Sequence, residues 1–332
     1  MTWLKSVAGT LVRWLGISII GLVSLVGFIL FKPLNTKNLS SNPQPTSSYS
    51  EAVQRIEALQ ARETGEINPV CRLKFMTHAL KAERAIVFVH GFTNCPQQFQ
   101  ALGTIFYDLG YNVLIAPMPH HGLADLMTPD QARLRAEELA AYADEVVDIA
   151  QGLGDHVTLA GMSAGGVTTA WAAQHRSDID QAVIICPGFG LYPIPTPLTA
   201  PATNLSLTLP NFFRWWDPEL KADLAGPDHG YPRYSTRGLG EILRLGFATQ
   251  AAARQSAPEA QSILVVTNAN DTSVNNALTA EVVGHWRRHG AVNLRTYEFE
   301  ADLQLGHDLI DPLQPDQRTD IVYPLLVDLI TR

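Results

Sequence analysis

The sequence predicts an α/β fold, with a mostly parallel central sheet covered by helices on both faces. Three observations carry this expectation. From residue 85 onward, short apolar stretches rich in β-branched residues alternate with helix-patterned stretches, as in a parallel sheet whose crossovers are helical. The buried-strand pattern His156-Val157-Thr158-Leu159-Ala160 runs through Gly161-Met162-Ser163-Ala164-Gly165 into an Ala- and Thr-rich helical stretch, Val167 to Gln174. One long insertion, Pro187 to Ala257, interrupts the alternation between two core strands.

The 332 residues are 46% hydrophobic and 17% charged, ample for one large domain with a substantial core. Trp14 to Phe31 is an unbroken run of apolar residues, Gly and Ser. As a helix it would span about 27 Å, close to the hydrocarbon core of a bilayer. Residues 1–34 therefore read as an uncleaved signal anchor or as a cleaved secretory signal. The length of the run and the lack of a clear Ala-x-Ala site favour the single-pass anchor. Lys5 and Arg13 precede the run and Lys32 and Lys37 follow it, so charge balance does not set an orientation. Either reading puts the body outside the cytoplasm: periplasmic if anchored, secreted if cleaved. Residues 35–50, dominated by Pro, Ser, Asn and Thr, read as a flexible tether to a folded body at 51–332.

The body opens with a helix over Glu51–Glu63, with Ala52, Ile56 and Leu59 on one face. A strand at Ala85–His90 is followed by a helix at Pro96–Leu109, stopped by Gly110, and a strand at Asn112–Ala116. Thr128-Pro129-Asp130-Gln131 has the cap, first-turn proline and third-position Gln of a helix start, and predicts a helix to about Ala150. After the central strand come strands at Gln181–Cys186, Ser262–Thr267 and Asn293–Glu298, and helices at Asn275–Arg288 and Asp316–Ile330. The insertion at about 187–257 carries Phe212, Phe213, Trp215, Trp216, Tyr231 and Tyr234, and is too long for a structureless loop. It reads as a cap over the carboxyl edge of the sheet, where open α/β sheets bind ligands; the alternative is a decorative insertion.

Composition narrows the function. The chain beyond residue 50 holds 20 basic against 32 acidic residues, a net charge of about −12, which disfavours nucleic acid and anionic surfaces. No Cys/His spacing resembles a zinc site, and no motif for a metal or nucleotide cofactor is present. Cys71 and Cys95 flank the first core strand and could pair as a disulfide in an exported body; the alternative is three free thiols. Cys186 reads as a small buried residue.

The glycines of Gly161-x-Ser163-x-Gly165 make room for a sharp strand-to-helix turn that presents the Ser163 hydroxyl, the candidate nucleophile. A serine needs a base to take its proton, and the base needs an acid to orient it. His307 lies past the last strand, and Asp271 follows the strand ending at Thr267. Asp308 and Glu300 are rival acids, but Asp308 adjoins His307, which makes an approach to its imidazole awkward. The N–H groups of Phe92, after the first core strand, and of Ala164, at the start of the helix, are candidate oxyanion donors. His90, His120 and His121 read as loop-bracing residues.

With these parts in order, residues from about Ala85 to Arg332 resemble the α/β-hydrolase superfamily, and within it bacterial carboxylesterases and monoacylglycerol-lipase-like serine hydrolases. The resemblance implies nucleophile, acid and base roles for Ser163, Asp271 and His307, an oxyanion hole at Phe92 and Ala164, and no cofactor. It implies hydrolysis of a small-molecule or lipid carboxylic ester through an acyl-enzyme. Acyl transfer, thioester cleavage and amide cleavage would use the same site, and a non-catalytic binding module could share the fold. The apolar N-terminal run, the tether and the Cys71–Cys95 pair depart from the general pattern.

Overall fold

The computed structural model describes residues 2–63, 65–223, 226–291 and 293–332; within the first helix, side chains are described for residue 14 and from 17 onward. A seven-stranded sheet holds the body together. Its strands are β1 (Lys74–Met76), β2 (Ala82–Val89), β3 (Asn112–Ile115), β4 (Gly154–Met162), β5 (Gln181–Ile185), β8 (Ile263–Asn268) and β9 (Leu294–Phe299). The spatial order is β1-β3-β2-β4-β5-β8-β9, parallel except for the antiparallel edge strand β1. A hairpin of β6 (Phe213–Trp215) and β7 (Arg233–Ser235) forms a separate two-stranded sheet.

Side chains alternate across the central strands, as the period of two demands. Ala85, Val87 and Val89 of β2 join one core layer, while Ile86 and Phe88 join the other. The first layer packs α2 (Tyr49–Ala61), α4 (Ala136–Leu153), α5 (Ala164–His175), α7 (Thr236–Ala253) and α8 (Asn276–Arg288) through residues such as Ile56, Val146, Trp171, Leu245 and Trp286. The second packs α3 (Gln100–Asp108) and α9 (Thr319–Thr331) through Leu102, Phe106 and Leu326. Both faces of the sheet are covered, so its central strands carry apolar runs on both sides, such as Ala85–Val89 of β2 and Ala182–Ile185 of β5.

Strand order places the site. The chain steps from β2 out to β3 and then crosses back to β4 on the other side of β2. A crevice opens where such a sheet changes direction, here between the carboxyl ends of β2 and β4. Val89 pairs with Gly161 at that edge, so the loops beginning at residues 90 and 163 lie side by side.

Three segments differ from the sequence expectations. The helix expected from Thr128 is broken. A 3₁₀ turn covers Asp130–Arg133, Leu134 takes an extended ψ of 135°, and α4 starts at Ala136 with Glu138 accepting from the Arg135 N–H. Residues 41–46, expected as part of a flexible tether, are fastened to α4. Ser41 Oγ and Asn42 N donate to Asp144 at 2.6 Å, and Gln44 N and Thr46 N donate to Asp148 at 2.9 Å. The insertion is also not all cap: Trp216 and Tyr231, flanking the hairpin, reach the loop after β2, α6 (Thr199–Thr208) packs on α7, and α7 is a core-covering helix.

The same two aspartates receive a buried cation. The Arg176 guanidinium, fully buried at the end of α5, lies 3.3 Å from Asp144, 2.7 Å from Asp148 and 2.6 Å from Asp178.

Residues Thr2–Phe31 form helix α1, whose last turn meets the cap. Asn204 Nδ2 donates to the carbonyls of Leu30 and Lys32, and Lys32 Nζ to Thr208 Oγ1. Among the described residues no helix is long and apolar enough to cross a membrane, so the transmembrane anchor expected at 14–31 has no support in the fold. The side chains of 15 and 16 in that run, and of 1–13 before it, lie outside the described residues.

Candidate active site

Ser163 stands between β4 and α5 with φ 57° and ψ −112°, a conformation that costs on the order of 1–3 kcal/mol in isolation. The surroundings enforce it. A Cβ on Gly165 would overlap the Val89 carbonyl, and one on Gly161 would overlap the Gly165 carbonyl and Thr169 Oγ1. Both positions therefore need glycine for β4 and α5 to close on each other beside β2. The turn is pinned by Ser163 N donating to Ile185 O at 3.0 Å and Gly188 N donating to Ser163 O at 3.1 Å.

The three residues singled out for nucleophile, base and acid meet here. His307 Nε2 is 3.0 Å from Ser163 Oγ, and His307 Nδ1 is 2.7 Å from Asp271 Oδ2. A carboxylate only accepts, so the ring proton belongs on Nδ1, leaving Nε2 free to accept from the hydroxyl. Asp271 Oδ1 accepts from Ser273 N at 2.8 Å and Val274 N at 3.0 Å, which fixes the carboxylate at the end of β8. Burial alone would raise Asp271, but the His307 bond and these two N–H groups outweigh it and hold the acid below its usual range. Burial pulls His307 down, yet the bond and charge of Asp271, with Asp308 beyond, outweigh that and raise it above 6.5.

The two candidate oxyanion donors border the same space: Phe92, Ala164 and Ser163 all line one cavity. Neither the Phe92 nor the Ala164 N–H has a hydrogen-bond partner among the described residues. The loop carrying Phe92 is braced by His90, which is buried. Its Nδ1 donates to Gly91 O at 2.8 Å and its Nε2 accepts from Met118 N at 2.9 Å. Burial pushes His90 well below its ordinary value, so it stays neutral and structural. His121 is likewise buried, bonded to Pro119 O and pushed down to about 4 by burial, and His120 contacts Glu138. Cys71 and Cys95 are joined as a disulfide, which ties the far end of this loop to the segment before β1; Cys186 is a free, buried thiol.

Two supports were not legible in the sequence. Gln98 Oε1 accepts from Gly91 N at 2.8 Å while its Nε2 donates to Asp308 Oδ2 at 2.8 Å, so one amide joins the Phe92 loop to the His307 loop. Asp308, considered above as a rival acid, thus braces the site through Gln98 instead of orienting the imidazole. Across the cavity, Trp216 Nε1 donates to Thr93 Oγ1 at 2.9 Å and Tyr231 N to Thr93 O at 2.8 Å, tying the cap to the same loop.

The cavity holds about 400 Å³ and is walled largely by apolar side chains, including Leu126, Met162, Leu191, Leu239 and Ile242. The described residues contain no cluster of side chains suited to a metal ion.

Comparison with known proteins places the fold. The alpha/beta hydrolase family pattern matches residues 86–319. A thermostable monoacylglycerol lipase of Bacillus sp. (strain H-257) is 26% identical over 179 residues, 50% of this chain and 63% of that protein. This chain therefore matches less than two thirds of that relative's length. Among solved structures, one from the metagenome-derived lipolytic enzymes LipS and LipT superposes with a TM-score of 0.60 at 17% identity, covering 80% of this chain and 99% of that one. The monoacylglycerol lipase of Paleococcus ferrophilus gives 0.58 at 17% identity, covering 80% and 98%. At such identities these structures speak to the fold. With a family match over most of its length, the chain belongs to the alpha/beta hydrolase family.

Proposed function

We propose that the protein is a serine hydrolase that cleaves carboxylic esters, lipid or acylglycerol esters among them, through an acyl-enzyme on Ser163. The observation that carries this is the line of contacts Ser163 Oγ, His307 Nε2, His307 Nδ1, Asp271 Oδ2, at 3.0 and 2.7 Å. His307 takes the Ser163 proton as Oγ attacks the ester carbonyl, and Asp271 steadies the imidazolium that forms. The oxyanion faces the N–H groups of Phe92 and Ala164, and each such donor is worth about 3 kcal/mol in the transition state. The tetrahedral intermediate collapses, His307 gives its proton to the departing alkoxide, and the alcohol leaves. Water then attacks the acyl-enzyme with His307 again as base, releasing the acid and restoring Ser163. The apolar cavity walls suit an acyl chain, and the Bacillus relative is a monoacylglycerol lipase by name.

The test is a p-nitrophenyl ester series of increasing chain length, with fluorophosphonate labelling of the same protein. Turnover that varies with chain length, and stoichiometric labelling, are expected. A folded protein that neither labels nor turns over any ester would overturn the reading.

The pH profile follows from the raised His307. The base must be neutral, so kcat/KM is expected to fall as pH drops through a midpoint above 6.5. Asp271→Asn removes the charge that raises it, and is expected to move that limb to lower pH while lowering the plateau. An acid limb that stays in place in Asp271→Asn would argue against His307 as the titrating base.

The same proposal attaches the protein to a lipid surface through α1. Supporting this, Leu22, Val23, Leu25 and Phe28 are all more than half exposed. The body is proposed to face an oxidising, extracytoplasmic compartment, supported by the Cys71–Cys95 disulfide. Removing residues 1–34 is expected to shift the protein from the membrane to the soluble fraction; an intact chain already in the soluble fraction would contradict attachment.

A further inference from the structure

The cavity wall beside His307 is polar, and its fixed charges share one sign. Asn94, Gln98 and Gln314 each donate a side-chain amide to the same oxygen, Asp308 Oδ2, at 3.2, 2.8 and 3.1 Å. These four side chains, all in the cavity lining, therefore form one continuous surface next to the catalytic imidazole. Asp316 joins them: its carboxylate lies against Gly306, so near that a Cβ there would overlap it. Asp228 lines the same cavity from the cap side. Asp228 and Asp316 are exposed and have no ion-pair partner among the described residues. The described lining contains three aspartates and His307 but no lysine or arginine.

The chemistry assigns this wall to one half of the substrate. His307 Nε2 must deliver its proton to the oxygen of the departing alcohol, so that oxygen sits within hydrogen-bond reach of Nε2. The alcohol half thus leaves on the His307 side, along the polar wall. The acyl half is left to the apolar surface of Leu126, Leu191, Leu239 and Ile242.

We infer that the enzyme selects its ester by the charge of the alcohol: it takes an uncharged, hydroxyl-bearing or a cationic alcohol, and rejects one that bears a phosphate or carboxylate. This inference rests on the ester-hydrolase reading and narrows it. Hydroxyl groups can donate to the carboxylates and accept from the amides of the wall. A cation gains from the carboxylates and loses nothing. An anion can accept from the same amides but is repelled by the carboxylates, with no guanidinium or ammonium in the lining to offset that charge. Because Asp228 and Asp316 are exposed, their repulsion is screened, and discrimination of about tenfold at low ionic strength is expected, shrinking as salt rises.

The experiment holds the acyl group constant. The full chain is given octanoyl esters of glycerol, of choline and of glycerol 3-phosphate, below their critical micelle concentrations, at low and at high salt, with p-nitrophenyl octanoate as a reference. The phosphate-bearing ester is expected to have a kcat/KM at least about tenfold below the glycerol ester, with the gap narrowing in high salt. In the double variant Asp228→Lys with Asp316→Lys, the ratio of phosphate-bearing to glycerol ester is expected to rise several-fold. If p-nitrophenyl octanoate is cleaved but the three esters agree within about twofold, the charge selection is overturned and the hydrolase reading stands. If no ester is cleaved, the hydrolase reading falls and takes this inference with it.

Discussion

Ser163→Ala is expected to lower kcat/KM for a p-nitrophenyl ester by about 10⁵-fold and to abolish fluorophosphonate labelling, with little change in the melting temperature. Ser163 Oγ makes its side-chain contact with His307 Nε2 at 3.0 Å, and alanine is no more strained than serine at φ 57°. The strain stays in place while the nucleophile is lost, so the fold has no reason to respond. Adding His307→Ala to Ser163→Ala is expected to cost little more, because the two act as one unit and the remaining catalysis comes from binding and the oxyanion donors. Measuring both single variants and the double variant checks this. Roughly additive losses would mean that serine and histidine do not share a step. A Ser163→Ala protein retaining more than a few per cent of activity would mean that another group attacks the ester.

Arg176→Met is expected to destabilise the fold by about 3–5 kcal/mol while leaving kcat nearly intact in whatever fraction remains folded. The guanidinium is fully buried and pairs with Asp144, Asp148 and Asp178. Methionine fills much of the space but leaves Asp144 and Asp148, both themselves buried, without a cation. These carboxylates also hold Ser41, Asn42 and Gln44, so the loss should spread to that segment. The chemistry is remote: Ser163 and Arg176 cap opposite ends of α5, about 20 Å apart at 1.5 Å per residue. Urea unfolding with kinetics below the transition separates the two effects. Adding Asp148→Asn should recover part of the stability, because removing both members of a buried pair costs less than removing one. No recovery, or a kcat that falls in step with stability, would contradict this account.

Much of the site was legible because it is written locally. Gly161-x-Ser163-x-Gly165 contains both the nucleophile and the glycines its turn needs, and its close approaches fall within a few residues of itself or on the neighbouring strand. Asp271 follows β8, whose apolar run is plain, His307 follows the more polar β9, and the parallel fold brings carboxyl ends of strands to one edge. What was not legible depends on partners distant in sequence. Gln98 meets Asp308 across 210 positions, and nothing around either residue announces the other. The segment 41–46 is polar in the manner of a linker, but its carboxylate partners lie over 100 positions away, so composition alone reads it as free. The helix start at Thr128 was misleading for a local reason. Thr128 Oγ1 does accept from Asp130 N, but the extended Leu134 ends that turn, and the Glu138–Arg135 contact begins the lasting helix. β1 is three residues on a sheet edge, too short for an alternating pattern to register.

The close approach of Gly165 to the Val89 carbonyl constrains how this protein can change. The peptide that limits the nucleophile turn is the one from which the oxyanion loop departs. A substitution on either side would shift both, so attack and charge stabilisation cannot be retuned separately from within the elbow. The cap meets the oxyanion loop at Thr93, through Trp216 and Tyr231, and its residues away from that contact can vary with less effect on either. Divergence and laboratory evolution of substrate range should therefore accumulate in α6 and around the hairpin, with Gly188 and the elbow inherited unchanged.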